Sequence, residues 1–249
     1  MDSQALAGKI VLVTGAARSI GAEMSTYFEE HGATVVRTDI DDGGRDVRRL
    51  DVTSAGDWAS VVADVKADHG RIDGLVNNAA VLFQAGPFWD ETDEQFARML
   101  DVNVMGTWLG LQAVTRVMAE HGGGSVINFS STSGMMAAAP FTGYGTTRWA
   151  VRGLTKHVAM GLAAHKIRVN SLHPHGIAQS AMVEMFSPQK PKREADRFRK
   201  QQGQSNPMGR LGSYDDVSAM ATFLLSDDAT WITGREFVLD GGASLATSQ

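Results

Sequence analysis

The chain contains no cysteine. That absence removes a disulfide framework, a thiolate zinc site and a cysteine nucleophile, and it fits a reducing compartment. A basic excess is also missing. Lys and Arg number 23 against 28 Asp and Glu, a formal charge of −5, so nothing provides the cationic face that nucleic acid requires. Long apolar runs are absent too. The longest stretch without a formal charge, His121 to Thr147, is 27 residues but full of Gly, Ser and Thr. In a bilayer it would strand polar groups in lipid. The start of the chain, MDSQALAGKI, has no basic segment followed by an apolar run. We therefore expect no signal peptide and a soluble, cytoplasmic protein without a membrane partner. The seven histidines are scattered and none forms H-E-x-x-H, so no metal site is expected.

What is present is an ordinary globular balance, 43% hydrophobic and 20% charged over 249 residues, which excludes a disordered chain. Short β-branched runs alternate with helical patterns. Strands are expected at Lys9–Thr14, Thr34–Thr38, Ile72–Asn77, Ser125–Ser130, Ile167–Leu172 and Glu236–Leu239. Helices are expected from about Ile20 to His31, Ser54 to His69, Thr92 to Val104, Gly106 to His121 and Gly143 to His165. Apolar runs of strand length separated by longer helices imply an α/β fold, a doubly wound parallel sheet with helices on both faces, in one domain over residues 1–249. The stretch from Val183 to Asn206, with six bases, three acids and prolines at 188 and 191, breaks the rhythm. It reads as an insertion, either a lid for an anionic substrate or a solvated face.

The first strand opens into T-G-A-A-R-S-I-G, Thr14 to Gly21, and then a helix. Glycine at the strand exit permits a tight turn. Glycine at the helix start lets a pyrophosphate approach the amides and the positive end of the helix dipole. A plain strand–helix turn would show the same two glycines. Asp39, which ends the second strand 24 residues after Gly15, shifts the balance. A carboxylate there accepts both adenosine ribose hydroxyls and repels a 2′-phosphate, which points to NAD rather than NADP. Arg18 and Arg37 oppose this, since either could meet that phosphate. Asp51 in L-D-V-T could hold the adenine edge or cap the following helix.

Tyr144 and Arg148 lie four apart in a helical stretch and share a face. A free phenol titrates near pH 10, and a fixed cation beside it favours its ionised form. Ser131, 13 residues upstream, falls at a strand end, where open α/β sheets place their ligands.

Taken together these residues resemble the short-chain dehydrogenase/reductase family, and the resemblance covers nearly the whole chain. The matching pieces are T-G-A-A-R-S-I-G at 14–21, Asp39, L-D-V-T at 50–53, N-N-A at 77–79, Asn103 in D-V-N-V, Ser130–Ser131, Tyr144, R-V-N-S-L-H-P at 168–174 and V-L-D-G-G at 238–242. Among members it looks most like the NAD-dependent hydroxysteroid and secondary-alcohol dehydrogenases. The resemblance implies a Rossmann-like fold and hydride transfer between NAD(H) and a secondary alcohol or ketone. It makes Tyr144 the general acid or base and Ser131 the donor to the substrate oxygen, with Asn103 holding a water in a proton relay. Gly15, Arg18, Ser19, Ile20, Asp51, Val52, Asn77, Ala79, Pro174, Gly176, Ile177 and Gln179 would join Asp39, Tyr144 and Arg148 around the cofactor. The family is commonly dimeric or tetrameric, so a homo-oligomer is expected, and Trp108, Trp149 and Trp231 are candidates for its interfaces or for internal packing.

The chain departs from the family in places. Arg148 replaces the usual lysine. It can hold a ribose and favour a phenolate, but it stays protonated and so cannot relay a proton. That substitution leaves open a non-redox enzyme on the same scaffold, such as an epimerase, dehydratase or cyclase, or a dinucleotide-sensing protein without chemistry. Ser19 stands where a glycine is usual, and a small residue fits there if its φ is negative. Ala80 and His175 also replace glycines. His175 is either an extra proton donor or a loop histidine. Gln179 or Ser180 takes the place of a threonine against the phosphates. Leu82, Phe83, Ser133, Met135, Met136, Phe141, His175, Met182, Met185 and Phe186 are the candidate substrate contacts. Several are large and adaptable, which suggests a bulky, apolar substrate.

Overall fold

A computed structural model describes residues 2–41, 44, 46–83, 87–137, 141–180, 192–204 and 206–245. The first strand, β1 (Ile10–Thr14), is a β-branched run buried from its second residue onward. Such a run is stable only in a sheet covered on both faces. It lies between β2 (Thr34–Asp39) and β4 (Gly74–Asn77), parallel to both. A two-residue strand, β3 (Arg48–Arg49), flanks β2. On the other side, β5 (Gly124–Phe129), β6 (Ile167–Pro174) and β7 (Glu236–Leu239) follow. The seven strands run in the order β3-β2-β1-β4-β5-β6-β7, all parallel. The order reverses beside β1, and ligands of such sheets bind in the crevice that this opens at the carboxyl ends of the strands.

Strand alternation supplies the two cores. Leu12, Leu75, Val126 and Val169 face α2 (Ala55–His69), α4 (Gly106–Glu120) and α5 (Thr142–Leu162), meeting Trp58, Leu111, Val114 and Ala159. Val11, Val13, Val76, Ile127 and Leu172 face the opposite way, onto Met24 and Phe28 of α1 (Ser19–Glu30) and Val217, Ala221 and Leu224 of a further helix over Tyr214–Leu225. No helix among the described residues is long and apolar enough to cross a membrane.

The differences from expectation have local causes. The two helices expected over 92–121 are joined: α3 (Asp93–Met99) passes through a π turn at Leu100–Met105 straight into α4, with right-handed helical backbone at both joins. The third strand begins at Gly74 instead of Ile72, and α5 gives way to a 3-10 turn at Ala163–His165. Two helices were not foreseen. One, α6 (Lys192–Gln204), occupies the latter half of the charged insertion. Residues 183–191 and 205 lie outside the described residues. The other, α7 (Tyr214–Leu225), is closed by a reciprocal cap between Ser213 and Asp216.

One polar contact ties the last strand to the core. Glu236 of β7 receives the Arg152 fork at 3.0 and 2.9 Å and Lys156 Nζ at 2.7 Å, both from α5. Burial works against the carboxylate, but the two cations outweigh it and hold Glu236 down at about 2. A carboxyl lowered in the folded state contributes stability above its unfolded value, and this is lost as pH falls through the folded value. Unfolding free energy should therefore fall between about pH 4.5 and pH 2, by up to on the order of 3 kcal/mol from this group. In Glu236→Gln that part of the acid slope should be absent from denaturant titrations run across this range. An unchanged slope would show that the cluster does not carry it.

Candidate active site

The cofactor end is built at the exit of β1. Gly15 adopts φ +67, which an L side chain rarely tolerates, and a Cβ on it would lie 2.9 Å from Ala79 Cα. A Cβ on Gly21 would fall 2.1 Å from the Gly15 carbonyl oxygen. Both glycines are therefore required to bring α1 hard against the loop after β4. Asn78 completes that join, its Nδ2 donating to the carbonyls of Thr14 (2.9 Å) and Gly15 (3.1 Å). The amides of Asn78 and Ala79 both donate to Thr14 Oγ1 at 3.0 Å.

Helices α2, α3 and α7 each begin with a side-chain cap, from Ser54, Thr92 and Ser213. Arg18, at the start of α1, provides none, and the first turn holds no acid. Uncapped amides at a helix start suit an anion. They face a cavity of about 270 Å³ lined by Gly15, Arg18, Ser19, Ile20, Asp39, Asp51, Val52, Asn78, Ala79 and Ser180, among others. Most of the residues expected to hold the cofactor are thus brought together.

Gly176 and Ile177 line a second cavity instead, Tyr144, Arg148 and Pro174 line neither, Asn77 and Gln179 are placed otherwise, and Ser19 lines this one in an unexpected backbone state. Asn77 turns away from the cavity into the sheet, donating to Asn128 Oδ1 at 2.9 Å, and Asn78 takes the lining position. A strand reverses its side chains at each residue, so a one-residue difference exchanges lining for core. In the turn after β6, where Ser180 N donates to the Ile177 carbonyl, Ser180 is buried against the cavity while Gln179 is exposed. Ser19 has φ +56, not the negative value that would seat a side chain without strain. The left-handed region costs an L residue roughly 1–2 kcal/mol, and Ser19 bears this at the phosphate end of the cavity.

The adenosine end is acidic. Asp39 is held by the amides of Ala17 (3.0 Å) and Asp41 (3.2 Å). Asp51 does not cap α2. Ser54 does so, while Asp51 accepts the Thr53 amide and hydroxyl at 2.9 and 2.7 Å. Those bonds, the hydroxyl's first, hold the Asp51 carboxyl below its usual range. The two arginines that argued against NAD are engaged: Arg37 forks onto Glu29, and Arg18 pairs with Asp41 at 3.2 Å. Arg98 of α3, which the sequence reading missed, lines the same wall.

The chemistry end lies at the carboxyl end of β5. Ser131 is buried, and its Oγ accepts the Ser133 amide at 3.1 Å, which leaves the hydroxyl proton to donate. Behind it the imidazole of His173 joins the Ser131 carbonyl (3.2 Å) to Ser171 Oγ (2.8 Å), and burial pushes His173 below the ordinary histidine value. Tyr144 is buried on α5. The Arg148 guanidinium carbon sits 4.7 Å from its ring centroid and Phe141 meets the ring edge-on at 6.5 Å.

Arg148 is only 3% exposed, and its Nη1 donates to the Phe129 carbonyl at 3.0 Å. Its Nε is buried with no hydrogen-bond partner among the described residues. An orphaned buried N–H of a cation is costly, and a ribose hydroxyl would satisfy it. The uncapped start of α1, the two glycine approaches, Asp39 and this donor all fit a nicotinamide dinucleotide.

Asn103 sits in the π turn, as such turns at functional sites often place a residue. Its carboxamide is engaged within the protein. The oxygen accepts the Val81 amide, and Nδ2 donates to the Val81 carbonyl and to Thr147 Oγ1. This braces α5 one residue before Arg148. His175 follows β6, open to solvent on one side while its ring packs inward with Nδ1 3.0 Å from Thr132 Oγ1. Burial of the ring lowers its titration below the ordinary value, with Asp240 opposing. Of the remaining substrate candidates, Met182, Met185 and Phe186 lie outside the described residues. Pro174, Gly176 and Ile177 stand at the end of β6, with Ile177 buried beneath the turn.

Ser131, at the carboxyl end of β5, and the stacked Tyr144–Arg148 pair of α5 are all buried, and a glycine-lined cavity lies at the exit of β1. The family model described as enoyl-(acyl carrier protein) reductase matches residues 15–244. The chain belongs to the short-chain dehydrogenase/reductase family. It is 38% identical to the 3-alpha-(or 20-beta)-hydroxysteroid dehydrogenase of Mycobacterium bovis, over 95% of this chain and 90% of that protein. It is 33% identical to the trans-4-hydroxycyclohexanecarboxylate dehydrogenase of Sinomonas cyclohexanicum, over 96% and 94%. Among solved structures, the aldohexose dehydrogenase of Thermoplasma acidophilum superposes with a TM-score of 0.92 at 28% identity, over 99% of this chain and 98% of that one. The chain is accordingly an oxidoreductase of the kind that acts on hydroxyl-bearing carbon.

Proposed function

We propose that the protein is an NAD-dependent dehydrogenase that interconverts a ring secondary alcohol and its ketone. The observation that carries this reading is the buried Tyr144 on α5, covered by Arg148 at 4.7 Å, with Ser131 buried at the carboxyl end of β5. The relatives support the substrate class, since one is named for a steroid alcohol and another for a hydroxylated cyclohexane ring. The bound nicotinamide would supply or accept the hydride. Ser131 Oγ donates to the substrate oxygen and holds it against Tyr144. The Tyr144 hydroxyl gives a proton to that oxygen during reduction and takes one during oxidation. Arg148 keeps a fixed positive charge over the ring at 4.7 Å and offers its Nε to the ribose. Proton exchange with solvent does not pass through Arg148, because a guanidinium keeps its proton.

The test is incubation with NAD and a panel of cyclohexanols and hydroxysteroids. The reading expects NADH and ketone to form in equal amounts. Conversion of substrate with no change in NADH would place the chain among non-redox enzymes instead. The nucleotide preference rests on Asp39, reinforced by the engagement of Arg18 and Arg37 with acids. Hydrogen bonds to a charged group contribute about 1.5–3 kcal/mol. Asp39→Ala should therefore lower the preference for NADH over NADPH by roughly 10- to 100-fold, read as a ratio of dissociation constants. An unchanged ratio would assign the preference to other residues.

A further inference from the structure

Two unusual features of the phosphate end touch each other. Ser19, the first residue of α1, lines the cavity and holds a left-handed backbone. Its Oγ lies 3.4 Å from the hydroxyl of Tyr214, the first residue of α7, which is far away in sequence. The same Tyr214 hydroxyl donates to the Gln179 carbonyl. A phenol has one proton to give and lone pairs to receive. With its proton on Gln179, it receives the Ser19 hydroxyl. We propose that Tyr214 is a positioning residue for the dinucleotide's pyrophosphate, its hydroxyl clasping the loop that opens α1 to the turn that follows β6.

Both ends of the clasp reach the cavity. Ser19 lines it directly. Gln179 belongs to the turn closed by the Ser180 amide on the Ile177 carbonyl, and that turn seats Ser180 against the same space. Tyr214 itself does not line the cavity, so it acts through these neighbours. Its own place is fixed. Ser213 and Asp216 cap each other at the start of α7, and Arg210 holds Asp216 with two bonds of 2.6 and 2.9 Å. One hydroxyl thus bridges the two walls that would close on the phosphates, reaching the Oγ of the left-handed Ser19 across 3.4 Å.

The inference rests on the dinucleotide reading above, and its test separates the two. Wild type, Tyr214→Phe, Ser19→Gly and the double variant are titrated with NADH, ADP and adenosine, and their thermal midpoints are recorded. Tyr214→Phe keeps the ring and removes the hydroxyl that makes the clasp. The expected result is NADH and ADP binding weakened by roughly 3- to 10-fold, the range of one net hydrogen bond, with adenosine binding unchanged. Ser19→Gly removes the other leg, so the double variant should bind ADP no more weakly than Tyr214→Phe alone. Equal loss for adenosine would make Tyr214 a general structural residue and overturn the clasp. So would undiminished ADP binding in Tyr214→Phe, or losses that multiply in the double variant. Failure of wild type to bind either NADH or ADP would overturn the dinucleotide reading and the clasp with it.

Discussion

Tyr144→Phe is expected to reduce turnover by about 10²- to 10⁴-fold while leaving NADH binding within a factor of about two. General acid–base catalysis by a placed side chain contributes roughly 10²–10⁴-fold, and the proposed function gives that role to the Tyr144 phenol. The substitution keeps the ring, so the contacts with Phe141 and Arg148 survive and the fold should not change. The check is kcat with the best ring alcohol, alongside a direct NADH titration and a thermal melt. Retained turnover would remove Tyr144 from the chemistry. A loss of cofactor binding equal to the loss of kcat would reassign it to structure.

The second large effect falls on Arg148. Arg148→Met should lower kcat by about 10²- to 10³-fold. Two things are lost together: the fixed charge over Tyr144, and the buried donor expected to meet the ribose, so KM for NAD should rise as well. The Phe129 carbonyl also loses its partner, and an unsatisfied buried acceptor costs about 1–3 kcal/mol, so a lowered melting temperature should accompany the effect. Arg148→Lys is the informative companion. Lysine keeps the charge and can exchange its proton, so turnover should persist and its pH profile should change. If instead lysine folds normally and abolishes turnover, the site is built on the planar guanidinium, and arginine here is a specific adaptation.

How far the sequence carried this account varies with the range of the interaction. The sheet was legible, because short β-branched runs bounded by glycine have few other uses. The Tyr144–Arg148 face was legible because a helix places residues four apart on one side. The start of α7 carried a usable signal, Ser213 followed three residues later by Asp216, which marks a capped helix. Asn77 was read as the end of its strand and as a cofactor residue, but the pleat turns it to Asn128 and leaves Asn78 to line the cavity. The sign of φ at Ser19 is a property of the packed loop. The meeting of Ser19 with Tyr214 joins residues that no local pattern connects. Asn103 was picked out only through the family resemblance. What it binds depends on the loop after β4 folding back over it.

The central claim is that the cavity at the end of β1 holds NAD(H) and prefers it to the phosphorylated form. A titration of the purified protein with NADH and NADPH tests that without any assumption about substrate. The account predicts saturable NADH binding at least about ten times tighter than NADPH, given a carboxylate at Asp39 and arginines 18 and 37 held by other acids. Equal or tighter binding of NADPH, or binding of neither nucleotide, would contradict it.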